Sequence, residues 1–407
     1  MPTEATLTIE KLVYGGDGLA RLDGKVVLVP YVLPGEVVRT EIDRLKNDLF
    51  RGKVLQLITP SPSRVAPGCP YFQRCGGCQY QHIDYSIQVE QKRAILREVL
   101  QRVGKIEVAG EIDVVAGDPW QYRNRIQLHI DRGQVGYFEH GSHRLCPIDR
   151  CPIASPALND AIAKLNRQAT ATVELFTNET EVQVNVLDRV PRSALTALQS
   201  IGVSGPIEYA GFRVSRNSFF QVNRFLIDRL LEVALSGSQG DLALDLYAGV
   251  GLFAVGLAER FKQVVAVESS RSAFSDLERN IQTRGLPITA ENNTTEEYLA
   301  TYEAHPDLIL ADPPRSGLGR HVVKELIRIR APKLTIISCD PATLARDLQG
   351  LLAEAYRIEK ITLVDLFPQT FHIEAVVQLR SLEQRAAFSH DQLREIEQDG
   401  DAQQSRP

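Results

Sequence analysis

One stretch of the sequence follows the order strand, glycine turn, helix, strand. Residues 242–246 (LALDL) form an apolar run, residues 248–251 (AGVG) a turn, residues 252–260 a helix and residues 264–267 a second apolar run. The same alternation of strand and helix signals repeats from about residue 220 to residue 380. Such an alternation is typical of a doubly wound parallel sheet, so we expect this part of the chain to adopt an α/β fold.

An acidic residue follows the glycine turn at the distance expected of a nucleotide-binding site. Glu268 ends the second apolar run, about 20 residues past Gly249 and Gly251. An acid at this distance binds ribose hydroxyls in dinucleotide and adenosyl sites alike. The turn lacks the third glycine of the pyrophosphate-binding pattern, which favours S-adenosylmethionine over a dinucleotide.

Three further apolar runs border residues that can carry chemistry. Residues 335–338 stop at Cys339, residues 307–311 stop at Asp312, and Glu374 precedes the run of residues 375–379. Ligands of open α/β sheets bind beyond the carboxyl ends of the strands. A strand-end thiol with a nearby base predicts covalent catalysis, with Cys339 as the nucleophile and Glu374 as the base.

Two prolines follow Asp312 and fix its backbone, which holds its carboxylate at the strand tip between cofactor and substrate. Arg315 comes next and has two interpretations. It either meets a phosphate or a base carbonyl, or it pairs with a nearby acid.

Five of the six cysteines fall between residues 69 and 151, and the sixth is Cys339. Cys69, Cys75 and Cys78 bring three thiols within a short glycine-containing turn, which predicts a metal site. The fourth ligand is either Cys146 or Cys151. Four thiolates suit zinc and an iron–sulfur cluster equally well, and the spacing does not separate them.

The N-terminal part has a different pattern. Residues 5–58 contain short β-like runs separated by glycine turns, which predicts a small β-barrel. Its basic residues are matched by acidic ones, so an RNA-binding face and an ordinary solvated surface are both open. A proline- and serine-rich linker follows at residues 59–63. Residues 88–103 then predict a helix that ends at Gly104, with Lys92 on its solvated face.

The remaining segments complete the predicted organisation. Residues 110–215 carry further β-like runs and are interpreted as a separate central domain, and the polar, acidic segment after residue 380 is expected to be disordered. The chain has 407 residues and a net charge of −5, which argues against a globally basic nucleic-acid binder. It contains neither a membrane-spanning run nor a signal peptide, so we expect a cytoplasmic monomer that does not bind membranes.

Taken together, these motifs resemble those of the RNA uracil-5-methyltransferase family, and in particular the branch with an N-terminal TRAM domain and a [4Fe-4S] cluster. The resemblance covers residues 5–380 and rests on motifs that occur in the family's order. They are residues 219–223 (FFQVN), 245–251 (DLYAGVG), 312–315 (DPPR), 338–341 (SCDP) and 367–374 (FPQTFHIE).

The resemblance implies a role for each site residue. Cys339 would be the nucleophile and Glu374 the proton acceptor, while Gln221, Tyr247, Glu268 and Asp312 would contact S-adenosylmethionine. The cluster ligands would be Cys69, Cys75, Cys78 and Cys151. It also implies an architecture of a TRAM barrel that binds RNA (1–60), a central α+β domain with the cluster (61–218), a Rossmann-like methyltransferase domain (219–380) and a tail (381–407).

The substrate implied by the resemblance is a uridine in RNA. Relatives with this architecture methylate large-subunit ribosomal RNA, and others methylate the T-loop of transfer RNA; the TRAM domain and the cluster favour 23S ribosomal RNA. Two rival functions stay open. One is an amide N-methyltransferase of the Asn/Asp-Pro-Pro type, which needs no thiol, and the other is an RNA-binding protein with an inactive methyltransferase domain.

Overall fold

A computed structural model of the protein describes residues 3–46, 49–165 and 170–382. The segment 383–407, which forms most of the predicted acidic tail, lies outside the described residues. Within the described ranges, no helix is both long enough and apolar enough to cross a membrane.

The N-terminal strands form one six-stranded sheet in the order β1-β5-β6-β4-β3-β2. The strands are β1 (Thr3–Thr8), β2 (Lys11–Leu12), β3 (Asp17–Leu22), β4 (Lys25–Pro30), β5 (Val37–Lys46) and β6 (Leu49–Thr59). Alternate residues of β4 are buried, as expected for strands with one face towards a core. That core is made of small and β-branched side chains from β1, β3, β4 and β5, including Ala20, Val27 and Val38.

The central region is built on a five-stranded antiparallel sheet in the order β10-β9-β8-β11-β12. Its elements, with the helix and strand that precede it, are α1 (Tyr85–Gly104), β7 (Asp113–Val115), β8 (Arg125–Asp131), β9 (Gln134–Phe138), β10 (Leu145–Pro147), α2 (Pro156–Lys164), β11 (Ala171–Thr177), β12 (Val182–Val186), α3 (Arg192–Gln199), β13 (Ile207–Tyr209) and β14 (Phe212–Val214). The last two strands form a separate hairpin.

The C-terminal region is an eight-stranded sheet in the order β17-β16-β15-β18-β19-β21-β20-β7. Its elements are α4 (Ile227–Ala234), β15 (Gly240–Leu246), α5 (Leu252–Ala258), β16 (Phe261–Val267), α6 (Arg271–Arg284), β17 (Ile288–Glu291), α7 (Thr295–Ala300), β18 (Leu308–Ala311), α8 (Gly319–Ile329), β19 (Lys333–Ser338), α9 (Pro341–Glu354), β20 (Tyr356–Val364) and β21 (Ala375–Ser381). Strands β15 to β19 are parallel, and β21 runs antiparallel to both of its neighbours.

Both faces of this sheet are covered, because successive residues of β15 contribute to different cores. Leu244 and Leu246 pack with α1, α8 and α9, whereas Ala243 packs with α4 and α5 on the other face. Apolar residues at consecutive positions are typical of a parallel strand buried on both sides. The predicted doubly wound α/β fold with an N-terminal domain of strands is therefore confirmed.

Two elements before the central sheet belong structurally to the C-terminal sheet. Strand β7 pairs in parallel with β20 at the edge of that sheet, and α1 packs along α9. Residues 85–115 thus contribute to the last sheet, although the predicted domain limits assign them to the central domain. The limits themselves stay a prediction.

The predicted helix over residues 88–103 extends from Tyr85 to Gly104, and its left-handed C-cap is Lys105 (φ 55°) rather than Gly104. The prediction that Lys92 lies on a solvated face is wrong. Its side chain is fully buried because it forms an ion pair with Asp365, a residue of the loop between β20 and β21. This contact joins two distant parts of the sequence, which helical periodicity cannot reveal.

Candidate active site

Cys339 and Glu374 lie next to each other at one edge of the C-terminal sheet. The last residue pair of the β19–β21 ladder is Ser338 with Ala375, and Cys339 and Glu374 are the residues directly beyond this pair. They are close enough for the charge of Glu374 to act on the Cys339 thiol. The two groups predicted to act together are therefore brought together by the register of one pair of strands.

The segment around Cys339 changes directly from strand to helix. Asp340 is the N-cap of α9, and its Oδ1 accepts hydrogen bonds from the N–H groups of Ala342 and Thr343, both at 2.9 Å. Pro341 occupies the first helical position, where its missing N–H has no consequence. Cys339 is thus fixed between a strand end and a capped helix.

Two charged neighbours act on the Cys339 thiol in opposite directions. Burial, followed by the negative charge of Glu374, raises the pKa of Cys339 to about 11, while the Arg315 guanidinium lowers it. The thiol is therefore protonated at neutral pH in the free protein. Its ionisation depends on which charges lie beside it.

Glu374 is held in a buried, acidic environment. Its side chain is 6% exposed, and burial together with the charge of Asp312 raises its pKa well above the usual range; Arg315 opposes this effect. A carboxylate with a raised pKa is a stronger base than one in water, which suits a residue that removes a proton from carbon.

Asp312 and Gln221 are in direct contact. Gln221 Nε2 donates a hydrogen bond to Asp312 Oδ2 at 3.3 Å, and the Asp312 N–H donates to the Leu246 carbonyl at 3.4 Å. Burial raises the pKa of Asp312, and the hydrogen bond from Gln221 counteracts this. Since Asp312 also acts on Glu374, these residues and Cys339 form one site.

Glu268 closes the glycine turn. Its Oε2 accepts a hydrogen bond from the Gly249 N–H at 2.8 Å, and its Oε1 accepts one from the Ser270 N–H at 2.6 Å. Tyr247 starts the turn in the left-handed conformation (φ 63°), and burial followed by the charge of Glu296 raises its pKa to about 12. Both residues lie at the carboxyl ends of β15 and β16, where a nucleotide is expected.

Asp245 is a residue of this edge to which the sequence analysis assigned no role, although it begins the motif of residues 245–251. Its side chain is fully buried, and its carboxyl oxygens make no hydrogen bond of ordinary geometry among the described residues, although the Ala254 N–H acts on the carboxyl. Burial, followed by the charge of Asp312, raises its pKa well above the usual range. A buried acceptor with so little donation fits a site completed by a ligand with N–H or O–H groups. The available signal was an acid inside an apolar strand, at the last position but one of β15.

Tyr14 is a second residue that the sequence did not point to. It belongs to the N-terminal sheet, yet its hydroxyl donates a hydrogen bond to Asp340 Oδ2 at 3.2 Å. Its ring also contacts the Phe371 ring edge-on, with centroids 5.7 Å apart. The barrel therefore touches the residue next to Cys339 and the loop before Glu374.

The cysteines predicted to bind a metal surround one cavity of about 210 Å³. Cys69, Cys75, Cys78 and Cys151 all line it, together with apolar side chains such as Phe72 and Ile148. Cys146 instead lies fully buried in the core of the central sheet. The described cysteines are all free thiols. Cys151 thus shares the cavity with the other three cysteines, but the charge of Cys146 also acts on Cys69 and Cys75, so the fourth ligand stays a prediction.

The four thiols are not arranged around a point. In the described parts of the chain, no group of three or more His, Cys, Asp or Glu side chains is placed to hold a single metal ion. Zinc–sulfur bonds of about 2.3 Å would require the thiols to lie closer together. Four thiolates suit zinc and an iron–sulfur cluster alike, so this arrangement favours neither of them.

Comparison with known proteins is consistent with this geometry. Residues 201–382 match the family model of tRNA (uracil-5-)-methyltransferases, and residues 3–55 match that of the TRAM domain. An uncharacterized RNA methyltransferase of Aquifex aeolicus is 32% identical over 414 residues, covering 92% of this chain and 97% of the relative. One from Thermotoga maritima is 32% identical over 434 residues, covering 91% and 98%.

The structure is also similar to a solved one. The tRNA (uracil-54, C5)-methyltransferase of Pyrococcus abyssi, crystallised with S-adenosyl-L-homocysteine, aligns with a TM-score of 0.72 and 26% sequence identity, covering 92% of this chain and all of that one. The alignment therefore extends well beyond the methyltransferase domain. With its relatives, its family model and its site in agreement, the chain belongs to the RNA uracil-5-methyltransferase family and is an S-adenosylmethionine-dependent enzyme with an N-terminal TRAM domain.

Proposed function

We propose that this enzyme methylates C5 of a uridine in RNA through a covalent adduct between Cys339 and C6 of the base. The proposal is supported by the position of Cys339 and Glu374 directly beyond the last pair of the β19–β21 ladder, Ser338 with Ala375, and by the effect of the Glu374 charge on the Cys339 thiol. A nucleophile and a base close to each other are what the two halves of the reaction need.

The proposed reaction has three steps. The Cys339 thiolate adds to C6 of uracil, and the electron pair of the C5–C6 double bond becomes an enolate. C5 then takes the methyl group from the sulfonium of S-adenosylmethionine, which leaves as S-adenosylhomocysteine. Glu374 removes the C5 proton, the double bond forms again and the thiolate departs.

The cofactor contacts are proposed for the residues at the carboxyl ends of β15, β16 and β18. Tyr247, Glu268 and Asp312 border the expected position of the methyl donor, and Gln221 is held on Asp312. The unpartnered carboxyl of Asp245 adds a buried acceptor at the same edge. The likeness to a structure that contains S-adenosyl-L-homocysteine supports this assignment.

We propose large-subunit ribosomal RNA as the substrate, because the TRAM domain and the four cysteines resemble those of ribosomal RNA enzymes. Transfer RNA uridine in the T-loop is the second candidate. It is favoured by the similarity to the Pyrococcus abyssi enzyme, which acts on uracil 54 of transfer RNA and aligns over 92% of this chain. A cytoplasmic location and a monomeric state stay predictions from the sequence.

The test is methyl transfer from labelled S-adenosylmethionine to unmodified ribosomal and transfer RNA, followed by nucleoside analysis. Wild type is expected to produce labelled 5-methyluridine in one RNA class, and Cys339→Ala is expected to produce none. Label on protein instead of RNA, retained in Cys339→Ala, would favour an amide N-methyltransferase of the Asn/Asp-Pro-Pro type. Failure of the wild type to bind S-adenosylmethionine would favour an RNA-binding protein with an inactive domain.

We also propose that Cys69, Cys75, Cys78 and Cys151 hold a [4Fe-4S] cluster. Their thiols line one cavity, and the resemblance to relatives with a cluster favours iron–sulfur over zinc. The Gly77 N–H lies 3.4 Å from Cys75 Sγ, so a backbone donor is already directed at one of the sulfurs. Such hydrogen bonds to sulfur stabilise thiolate-bound iron. The bound group would tie the cysteine loop to the central sheet.

Cys146 provides a matched control for the cluster. Cys151→Ser is expected to lower the iron and sulfide bound per chain and to remove the visible absorption of anaerobically purified protein. Cys146→Ser is expected to leave both unchanged, because Cys146 lies in the core of the central sheet. Equal losses in the two variants, or zinc in place of iron, would contradict the assignment.

A further inference from the structure

The loop that leads to Glu374 connects β20 with β21 and consists of residues 365–373, here called the catalytic loop. It is closed at its base by a hydrogen bond from the Val364 N–H to the Glu374 carbonyl at 3.0 Å. Gln369 takes the left-handed conformation (φ 68°) in the middle of the loop. A loop with this backbone needs external contacts to keep one conformation.

The first external contact is an ion pair with α1. Lys92 Nζ donates to Asp365 Oδ1 at 2.6 Å and to the Phe367 carbonyl at 2.9 Å, and the Tyr85 hydroxyl donates to Asp365 Oδ2 at 3.0 Å. The Lys92 and Asp365 side chains are 0% and 1% exposed. Buried ion pairs of this kind contribute little net stability, but they fix which groups lie side by side.

The second contact comes from the same face of the same helix, one turn earlier. Gln88 Nε2 donates to Gln369 Oε1, and Gln88 Oε1 accepts from the Gln369 N–H, both at 3.0 Å. Gln88 is 1% exposed. Side chains four residues apart share one side of a helix, so Gln88 and Lys92 together hold both ends of the segment from Asp365 to Gln369.

The cysteine loop adds a third contact, and the side chains of Tyr122 and Asn223 donate to the Pro368 and Leu366 carbonyls of the loop at 3.0 and 3.1 Å. The N–H groups of Gln79 and Tyr80, which follow Cys78 directly, both donate to the Gln369 carbonyl at 3.0 Å. Both polar backbone groups of Gln369 are thereby bound to residues outside its own hairpin. Gln88 and Lys92 form their hydrogen bonds to the loop within residues 365–369. These bonds involve neither Cys339 nor the residues proposed to bind the cofactor.

We propose that Gln88 and Lys92 are positioning residues that set Glu374 against the C5 proton, and so control its removal rather than addition or methyl transfer. This inference rests on the proposed function. Cys339 is carried by β19 and the methyl donor by β15, β16 and β18, whereas Glu374 directly follows the catalytic loop. Loosening the loop should therefore slow the last step while the first two proceed.

The experiment is a single turnover with two labels. The RNA carries tritium at C5 of uridine, and S-adenosylmethionine carries a carbon-14 methyl group. In wild type we expect tritium release to follow methyl transfer closely. In Gln88→Met, and in the double variant Lys92→Met with Asp365→Leu, we expect tritium release to slow at least tenfold while methyl transfer changes less than threefold. The methylated protein–RNA adduct should then persist on a denaturing gel.

The variants are chosen so that a folding defect is distinguishable. The double variant replaces the pair by apolar side chains and leaves no unpaired buried charge, and Gln88→Met is a neutral change of similar size. Arg102→Met is the control on α1, because Arg102 is exposed and pairs with Glu98 away from the catalytic loop. It is expected to keep the wild-type ratio of the two rates.

Two outcomes would overturn the inference. If methyl transfer and tritium release fall together, with their ratio unchanged, Gln88 and Lys92 have a purely structural role. If both variants keep the wild-type rates, the two residues have no role in the reaction. Glu374→Gln serves as the reference, since it should trap the adduct if the proposed function is right. An adduct in Glu374→Gln but not in the α1 variants refutes the positioning role alone. No adduct in Glu374→Gln, with no 5-methyluridine from wild type, refutes the proposed function.

Discussion

At the scale of single residues, the chemistry of this enzyme depends on charges held close together in a buried place. Cys339 lies between Glu374, which raises its pKa, and Arg315, which lowers it. Glu374 in turn lies near Asp312, and Asp312 near Asp245. The pKa of each of these groups therefore depends on the charges of its neighbours. A bound cation such as the sulfonium of the methyl donor would change all of them at once.

The ionisation of Cys339 can be shifted in both directions. Glu374→Gln removes a negative charge, so we expect the thiolate to form at lower pH than the wild-type value of about 11. Arg315→Met removes a positive charge and should raise the pKa further. The measurement is the rate of alkylation of Cys339 by iodoacetamide as a function of pH, with the modified peptide quantified by mass spectrometry.

Opposite shifts of the two alkylation profiles would support the assigned neighbours. An unchanged profile in Glu374→Gln would show that the carboxyl does not lie beside the thiol. Because ionised Glu374 opposes ionisation of Cys339, alkylation in wild type should become faster as the pH rises through the alkaline range, without a plateau near neutrality.

At the scale of secondary structure, the site is formed by the turns and caps at the strand ends. The turn after β15 needs Gly251 in the left-handed conformation, and the helix start after β19 has Pro341 at its first position. Gly251 has φ 96°, and a Cβ built there would lie 2.7 Å from Leu277 Cδ1, in the core against α6. Gly249 has φ 56° but open space around it.

These two glycines predict different costs for the same substitution. Gly249→Ala should destabilise by about 1 kcal/mol, because only the left-handed backbone is unfavourable. Gly251→Ala should destabilise by roughly 2–4 kcal/mol, because overpacking against Leu277 is added. The check is the melting temperature without cofactor, which should fall in the order wild type, Gly249→Ala, Gly251→Ala. The reverse order for the two variants would contradict the close contact.

The elements also explain how much the sequence could predict. Strand ends are visible in the sequence as the limits of apolar runs, and three site residues come directly after strands: Glu268, Asp312 and Cys339. Because these strands are parallel, the fold brings the three residues to the same edge of the sheet. Lys92 and Tyr14 were not predictable, because their partners lie hundreds of positions away and one of them looks like a surface cation on a helix. Asp245 was visible only as part of a motif, and its lack of partners becomes apparent in three dimensions.

At the scale of the whole molecule, the N-terminal domain contacts the proposed catalytic centre. Tyr14 donates to the residue next to Cys339 and packs on Phe371 of the catalytic loop. Gly16, two residues further on, would place a Cβ 3.3 Å from Phe371 Cβ. A domain of the TRAM type is therefore placed to contact RNA and the reacting end of the sheet at the same time.

Tyr14→Phe should slow methyl transfer without changing the affinity for S-adenosylmethionine. The variant loses one hydrogen bond to Asp340, a contribution of about 1 kcal/mol, which corresponds to a factor of about five in rate. Tyr31→Phe is the matched control in the same barrel, since the Tyr31 hydroxyl has no hydrogen-bond partner among the described residues. A loss of equal size in both variants, or a weaker affinity for the cofactor, would argue against the contact.

The ion pair of Lys92 and Asp365 has a consequence for biosynthesis. The two residues are 273 positions apart, and at roughly 5–20 residues per second the ribosome needs on the order of 10–60 s to make the second after the first. During that interval the face of α1 that will support the catalytic loop has no partner, and the edge position taken by β7 has no strand to join. The N-terminal sheet and the central sheet can fold early, but Glu374, the proposed base, is positioned only when the last hairpin docks. A nascent chain should therefore gain its methylating activity in one late step, long after most of its mass has folded.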